Sequence, residues 1–149
     1  MRVLVVCQSV SHGNTGKIAE AMAEVLGAEV ARPSEVQMDG LAQCDLVGFG
    51  SGIFFGKHHK ALLRLIGELP RLRARAFLFS TRGAGPAKYY HRALRAGLQS
   101  KGLEIVGEFS ARGWDTYGLL RYIGGINRGR PNESDLERAR AFARGLLTG

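Results

Sequence analysis

Residues 2–27 read RVLVVCQSVSHGNTGKIAEAMAEVLG, and this stretch decides the fold. Arg2 to Cys7 is short, apolar and β-branched, the pattern of a strand buried on both faces. From Asn14 to Leu26 the apolar residues Ile18, Met22, Val25 and Leu26 recur at helical spacing with alanines between them. Gly27 stands where such a helix ends. A buried strand leading into an amphipathic helix is the first half of a parallel βαβ unit.

The same alternation continues outward. Glu29–Ala31 is a short second strand stopped by Pro33, and Ser34 to Gln43 is poorly patterned, with room for a short helix. Asp45–Gly50 (DLVGFG) is a third strand. Lys60–Leu69 follows as a helix with Leu62, Leu63, Leu65, Ile66 and Leu69 on its buried side and Pro70 just beyond. Ala74–Ser80 (ARAFLFS) is the fourth strand, Ala87–Lys101 a helix ended by Gly102, and Leu103–Ser110 the fifth strand. The last helix spans Glu133 to Leu147, capped by Asn132 or Ser134, with Asp135 and Glu137 near its positive end. This order predicts one α/β domain over residues 1–149. Its expected architecture is a doubly wound, five-stranded parallel sheet with helices on both faces. The long Gly-rich connection from Gly113 to Pro131, with Trp114, Asp115, Tyr117 and Tyr122, is of a length usually reserved for function.

Composition narrows the class. With 149 residues, 45% of them hydrophobic and 23% charged, the chain has the makeup of an ordinary globular protein. The first strand is read from Arg2, so no signal segment is expected, and no apolar run approaches the ~18 residues of a membrane helix. The expectation is a cytoplasmic protein without membrane insertion. Cys7 and Cys44 have no metal or disulfide spacing and read as small core or rim residues in a reducing compartment. The net charge of +8 favours anionic partners, but the arginines are spread along the chain and also suit a solvated surface. No specific nucleic-acid partner is expected.

Chemistry begins where the first strand ends. Ser9, Ser11, Asn14 and Thr15 supply hydroxyls and an amide, and Gly13 allows close backbone approach. A helix start adds free N–H groups and the positive end of the dipole, so the turn suits a phosphate monoester. It equally suits an ordinary capped helix. Neither a Walker loop nor a Gly-x-Gly-x-x-Gly fingerprint is present.

This turn, Ser9-Val10-Ser11-His12-Gly13-Asn14-Thr15, resembles the Ser/Thr-x-Thr-Gly-Asn-Thr loop of the flavodoxin family. The resemblance implies a flavodoxin-like sheet of strand order 2-1-3-4-5. It also implies that Ser11, His12, Gly13, Asn14 and Thr15, with Ser9, wrap the phosphate of FMN. His12 replaces the usual threonine and still offers a donor to phosphate.

Two further loops are expected at the carboxyl ends of the strands, where this fold places ligands. Ser51, Gly52, Ile53, Phe54, Phe55 and Gly56 form an apolar, aromatic segment suited to a flat isoalloxazine, and the broader flavodoxin-like group has similar loops. The alternative is that Phe54 and Phe55 close the core. His58 and His59, without a supporting cluster, read as a solvated helix start and not as metal ligands. After the fourth strand, Ser80, Thr81, Arg82 and Gly83 are expected along the pyrimidine edge. A cation at Arg82 stabilises an anionic reduced flavin and makes its couple less negative than in a typical acidic flavodoxin. Trp114 is expected to cover the flavin, line a substrate pocket or make a dimer contact.

Three functions stand at this stage. The leading one is an FMN electron carrier working with redox partner proteins, acidic ones among them. The second is an NAD(P)H-dependent quinone or small-molecule reductase on the same fold, which the long connection with Trp114 and the basic surface favour. The third is a non-redox phosphate-binding module, which the absence of acidic residues after the first and third strands disfavours: those places hold Gln8 and Ser9, and Gly50 and Ser51. No residue is assigned a catalytic role, because the cofactor carries the redox chemistry.

Overall fold

A computed structural model describes residues 1–9, 13–113 and 125–148. Its elements run in the order β1 (Val3–Gln8), α1 (Asn14–Leu26), β2 (Glu29–Ala31), α2 (Met38–Ala42), β3 (Leu46–Phe54), β4 (Lys57–His58), α3 (Lys60–Glu68), β5 (Arg75–Arg82), α4 (Ala87–Tyr90), α5 (Arg92–Ser100), β6 (Glu104–Arg112) and α6 (Glu133–Thr148). The sheet order is β2-β1-β3-β5-β6, with β4 attached to β3. All neighbours along that path are parallel. The expected flavodoxin-like doubly wound sheet is therefore present, with one small antiparallel addition.

Two departures have local causes. β3 does not stop at Gly50 but continues to Phe54, because the chain turns back there and β4 pairs with it, Ile53 opposite His58 and Phe54 opposite Lys57. The helix expected over 87–101 divides at His91 into α4 and α5.

Alternation along the strands sorts the core into two layers. Val5, Cys7, Phe77, Phe79 and Ala111 pack under α1 and α6 against Ile18, Met22, Ala139 and Ala143. Val6, Val47, Phe49, Leu78 and Ala76 pack on the other face against Leu62, Ile66, Leu94 and Leu98 of α3 and α5. Both cysteines are free and buried. Gly27 ends α1 in the left-handed region at φ 64° and donates its N–H to the Ala23 carbonyl.

The glycines of β3 are there for space. The Phe77 ring lies over Gly48 and the Phe79 ring over Gly50, and a Cβ at either position overlaps the ring. The two rings stack at 6.0 Å between centroids. This lets bulky β5 side chains close over the central strand without opening a cavity. Gly50→Ala is therefore expected to cost about 1–3 kcal/mol of stability and to lower Tm by roughly 3–9 °C. Gly67→Ala, in α3 with nothing within 4 Å of the added Cβ, serves as a control and leaves Tm equal or higher. Thermal unfolding of both variants checks this, and equal melting of Gly50→Ala and the parent protein contradicts it.

Candidate flavin site

Where it is described, the turn from β1 into α1 opens the helix on a left-handed glycine. Gly13 is the cap residue of α1, in the left-handed region at φ 70° and ψ 21°. First-turn N–H groups have no acceptor within their own helix. One of them is taken up: Gly16 N–H donates to Ser9 Oγ at 3.0 Å. Ser9 thus braces the helix start. Asn14 packs its side chain against Gly113, just beyond β6, so closely that a Cβ on Gly113 overlaps the amide. Ser11 and His12 lie outside the described residues.

Thr15 is turned inward. Its hydroxyl pairs with that of Thr81 at 2.7 Å in a buried contact, tying α1 to the end of β5. A hydroxyl pair uses only one of its two protons internally, so one donor remains. Parallel register sets Thr81 beside Gly52 and Arg82 beside Arg112. The three expected segments therefore meet at one edge of the sheet, the carboxyl ends of β1, β3 and β5.

The segment after β3 is a tight hairpin. Phe55 and Gly56 form its turn with φ values of 52° and 78°, the doubly left-handed pattern of hairpin turns that match strand twist. A bulky aromatic at positive φ is strained. Phe55 is 86% exposed, and half-buried Phe54 meets His59 edge-on at 5.2 Å. Neither residue belongs to the sheet's buried core clusters, which corrects the alternative that they close the core. Ile53 and Gly52 are half-buried beside them.

Ser51 and Ser80 are both fully buried, with their hydroxyls engaged inside the protein. Ser51 Oγ donates to the Gly52 carbonyl at 2.7 Å and accepts from His59 N–H at 2.8 Å. Ser80 is fully buried, with its hydroxyl 2.7 Å from His91 Nε2. Arg82 is half-buried and folds back, donating from Nε to the Gly85 carbonyl at 2.9 Å and from NH1 to Ser110 Oγ at 3.0 Å. Burial, with the cationic neighbours Arg112, Arg138 and Arg130, lowers its pKa. The Gly83 carbonyl accepts from Arg112 at 3.0 Å and from Asn127 at 2.6 Å. Trp114, Asp115, Tyr117 and Tyr122 lie outside the described residues.

The structure adds Tyr90. Its hydroxyl end fills the space over Gly85 and its ring approaches Gly56, so it bridges the hairpin and the loop after β5. The only sequence signal is the Tyr89–Tyr90 pair at a helix start, which helical periodicity does not distinguish from surface.

The histidine pair behaves differently from a solvated helix start. His59 does open α3, accepting the Ala61 N–H on Nδ1 at 2.9 Å. His58 is a correction: it is 2% exposed, because pairing with Ile53 turns it under the sheet edge. There it bonds the Phe79 carbonyl through Nε2 at 3.0 Å. Near the far end of the site, α6 starts with a reciprocal cap. Asn132 N–H donates to Asp135, and Asp135 N–H to the Asn132 side chain. Asp135 also holds Arg130 and Arg138.

These groups make stability depend on pH. Burial and the nearby His91 push His58 from 6.5 down to about 4, against smaller upward effects of the Phe79 carbonyl and Glu108. The unfolded chain takes up this proton near 6.5 and the folded chain does not until about 4. Stability is therefore complete above pH 6.5 and lost as pH falls through that window, by on the order of 3 kcal/mol. For Asp135, burial acts upward but Arg130, the Asn132 N–H and Arg138 outweigh it, so its carboxyl sits well below its usual range. Its contribution is lost only at more acid pH. Urea midpoints measured across pH check this. His58→Gln, which keeps a donor for the Phe79 carbonyl, flattens most of the limb between pH 6.5 and 4, and an unchanged slope contradicts the assignment.

Comparison with known proteins agrees with this geometry. The family model described as a flavodoxin domain matches residues 4–110. The uncharacterized protein MJ0298 of Methanocaldococcus jannaschii is 42% identical over 148 residues, 99% of each chain. Oxidised flavodoxin 2 from Bacillus cereus superposes with a TM-score of 0.73 at 14% identity, covering 99% of both chains. A flavoprotein in complex with FMN from Lactobacillus acidophilus NCFM gives 0.60 at 15% identity, over 73% of this chain and 92% of that one. The parallel sheet, the cradle where β1 meets α1 and the family match together establish that this chain belongs to the flavodoxin family.

Proposed function

We propose that the chain binds FMN non-covalently at the carboxyl edge of the sheet and carries electrons through it. The observation that carries this reading is the convergence of three features on one edge. These are the glycine-opened start of α1, the inward-turned carbonyls after β5, and the aromatic hairpin tip. They suit, in turn, a phosphate, a ring edge rich in acceptors, and an apolar ring face. The flavoprotein that resembles this chain in fold holds FMN. When bound, FMN supplies the redox chemistry. The protein's part is to cradle the phosphate with Ser9, Ser11, His12, Gly13, Asn14 and Thr15, and to shield the ring with Phe54, Phe55 and Tyr90. Thr81, Arg82 and Gly83 set the polarity of the ring edge, and Trp114 belongs to the same reading as a cover.

The partner in this reading is an acidic redox protein of the cytoplasm. Charge is unevenly distributed: residues 46–103 contain eleven Lys or Arg and a single acid, Glu68, whereas the rest has ten against twelve. That span supplies the hairpin, α3, α4 and α5. Exposed Phe55 and Tyr89 stand among exposed Lys57, Lys60, Lys88 and Arg92. An aromatic patch in a cationic field beside a redox site suits docking against carboxylates.

Two measurements test this. Flavin fluorescence is expected to be quenched on adding the flavin-free protein to FMN. Asn14→Asp weakens FMN by about 10- to 100-fold while leaving riboflavin, which lacks the phosphate, little changed. No association of folded protein with FMN, or equal loss for both ligands, overturns the site. Electron exchange with an acidic plant-type ferredoxin slows about tenfold or more as salt rises from roughly 20 to 200 mM. With basic cytochrome c salt has the opposite effect, and matching salt responses for the two proteins remove the docking argument.

A further inference from the structure

One buried polar chain crosses the sheet behind this edge. Arg82 NH1 donates to Ser110 Oγ at 3.0 Å. Ser110 Oγ lies 2.7 Å from Ser80 Oγ, which lies 2.7 Å from His91 Nε2. His91 Nδ1 is 2.9 Å from Glu108 Oε1. Arg95 closes the far end, with Nε and NH2 on the two Glu108 oxygens at 2.6 and 2.7 Å. The Ser80–His91–Glu108 order has the outline of a hydrolytic triad, but Ser80 is fully buried and His91 is 1% exposed, so no substrate reaches the hydroxyl.

With His91 neutral, Glu108 sets the direction of the chain. A guanidinium only donates and a carboxylate only accepts, so Nδ1 carries the proton toward Glu108, and Ser110 Oγ, accepting from Arg82, gives its single proton to Ser80. Ser80 then gives its own proton to Nε2, which must carry the lone pair. Nδ1–H donates to Glu108, and every member is satisfied with His91 neutral. Protonation at Nε2 reverses the middle of the chain. Nε2–H donates to Ser80, Ser80 donates to Ser110, and the Ser110 hydroxyl keeps its proton and turns it out of the chain.

The groups facing His91 set the balance between these two states. Glu108 from β6 favours the cation. Arg95 on α5 and Arg82 from β5 oppose it. From β4, the His58 ring stands 4.9 Å away, centroid to centroid. Its Nε2–H is committed to the Phe79 carbonyl, and its buried Nδ1 has no partner among the described residues. Burial and these cations outweigh Glu108, so the His91 imidazole titrates below its ordinary value.

We propose that His91 is a proton-holding positioning residue for the site at Arg82: neutral on Nε2 while the edge carries no added negative charge, and protonated there when negative charge arrives beside Arg82. The FMN reading supplies the source of that charge, namely the reduced flavin, and the proposal rests on it in this respect. The electrons come from the redox partner. One proton is taken from solvent, the Nε2–H bond forms, and the Ser80 and Ser110 hydroxyls turn over.

Nitrogen-15 spectra of the imidazoles in flavin-free protein test the relay by itself. They are expected to show His91 as the Nδ1–H tautomer near ~pH 7.5. Arg82→Gln, whose amide offers an acceptor as readily as a donor, raises the His91 pKa by about one pH unit. Arg82→Lys, still cationic and donor-only, leaves it nearly in place. In FMN-loaded protein, chemical reduction raises the His91 pKa by about one pH unit. The midpoint potential then varies with pH between the two values more steeply than the flavin's own protonation requires, and His91→Gln removes that added dependence. An Nε2–H tautomer, an unmoved pKa in Arg82→Gln, or the same His91 titration in oxidised and reduced protein overturns the proposal. Failure of FMN to associate overturns the function instead, and the flavin-free spectra still decide the relay.

Discussion

The aromatic cover of β3 by β5 is the constraint on which the site depends. Phe77 and Phe79 occupy the space left by Gly48 and Gly50, and the parallel register that results sets Ser51 beside Ser80 and Gly52 beside Thr81. β6 continues the same register on the other side, placing Ser110 beside Ser80 and Arg112 beside Arg82. The core and the polar edge are thus parts of the same ladders. Beyond Phe49, Phe79 and Phe109 the three strands carry Ser51, Ser80 and Ser110 side by side, and then Gly52, Thr81 and Ala111. The protein changes from a close-packed interior to a hydrogen-bonding rim within about two residues, one repeat of strand alternation.

That rim is stiffened by polar groups that satisfy one another. The Thr15–Thr81 pair joins the phosphate turn to β5, Ser51 holds the start of α3 through His59, and the Gly83 carbonyl is held by Arg112 and Asn127. Buried polar networks of this kind are costly when half satisfied and specific when complete. Here they fix the Gly83 carbonyl on the protein side. Strain remains at Phe55, whose left-handed backbone holds an aromatic ring out at the hairpin tip.

Much of this was legible in the strand and helix pattern. Val, Leu and Phe runs ending at Cys7, Gly50, Ser80 and Ser110 marked the strands, and Ser9, Gly13, Asn14 and Thr15 marked the cradle. The extension of β3 to Phe54 was not legible. An apolar run with glycines reads as a loop unless the partner strand, here only Lys57–His58, is known. His58 was misjudged for the same reason, since its burial comes from a pairing two residues long. The roles of Ser80, His91, Glu108 and Tyr90 were hidden because each depends on contacts between elements far apart in the chain.

By itself the sequence determined the alternation of strands and helices, the chemistry of the first turn and the uneven charge. These follow from local periodicity and residue type, which need no knowledge of neighbours. The tertiary structure alone decided which hydroxyls face inward, where Arg82 directs its guanidinium and how Ser110, Ser80, His91 and Glu108 are joined. Those outcomes depend on register across parallel strands, and register is set by the packing of distant side chains.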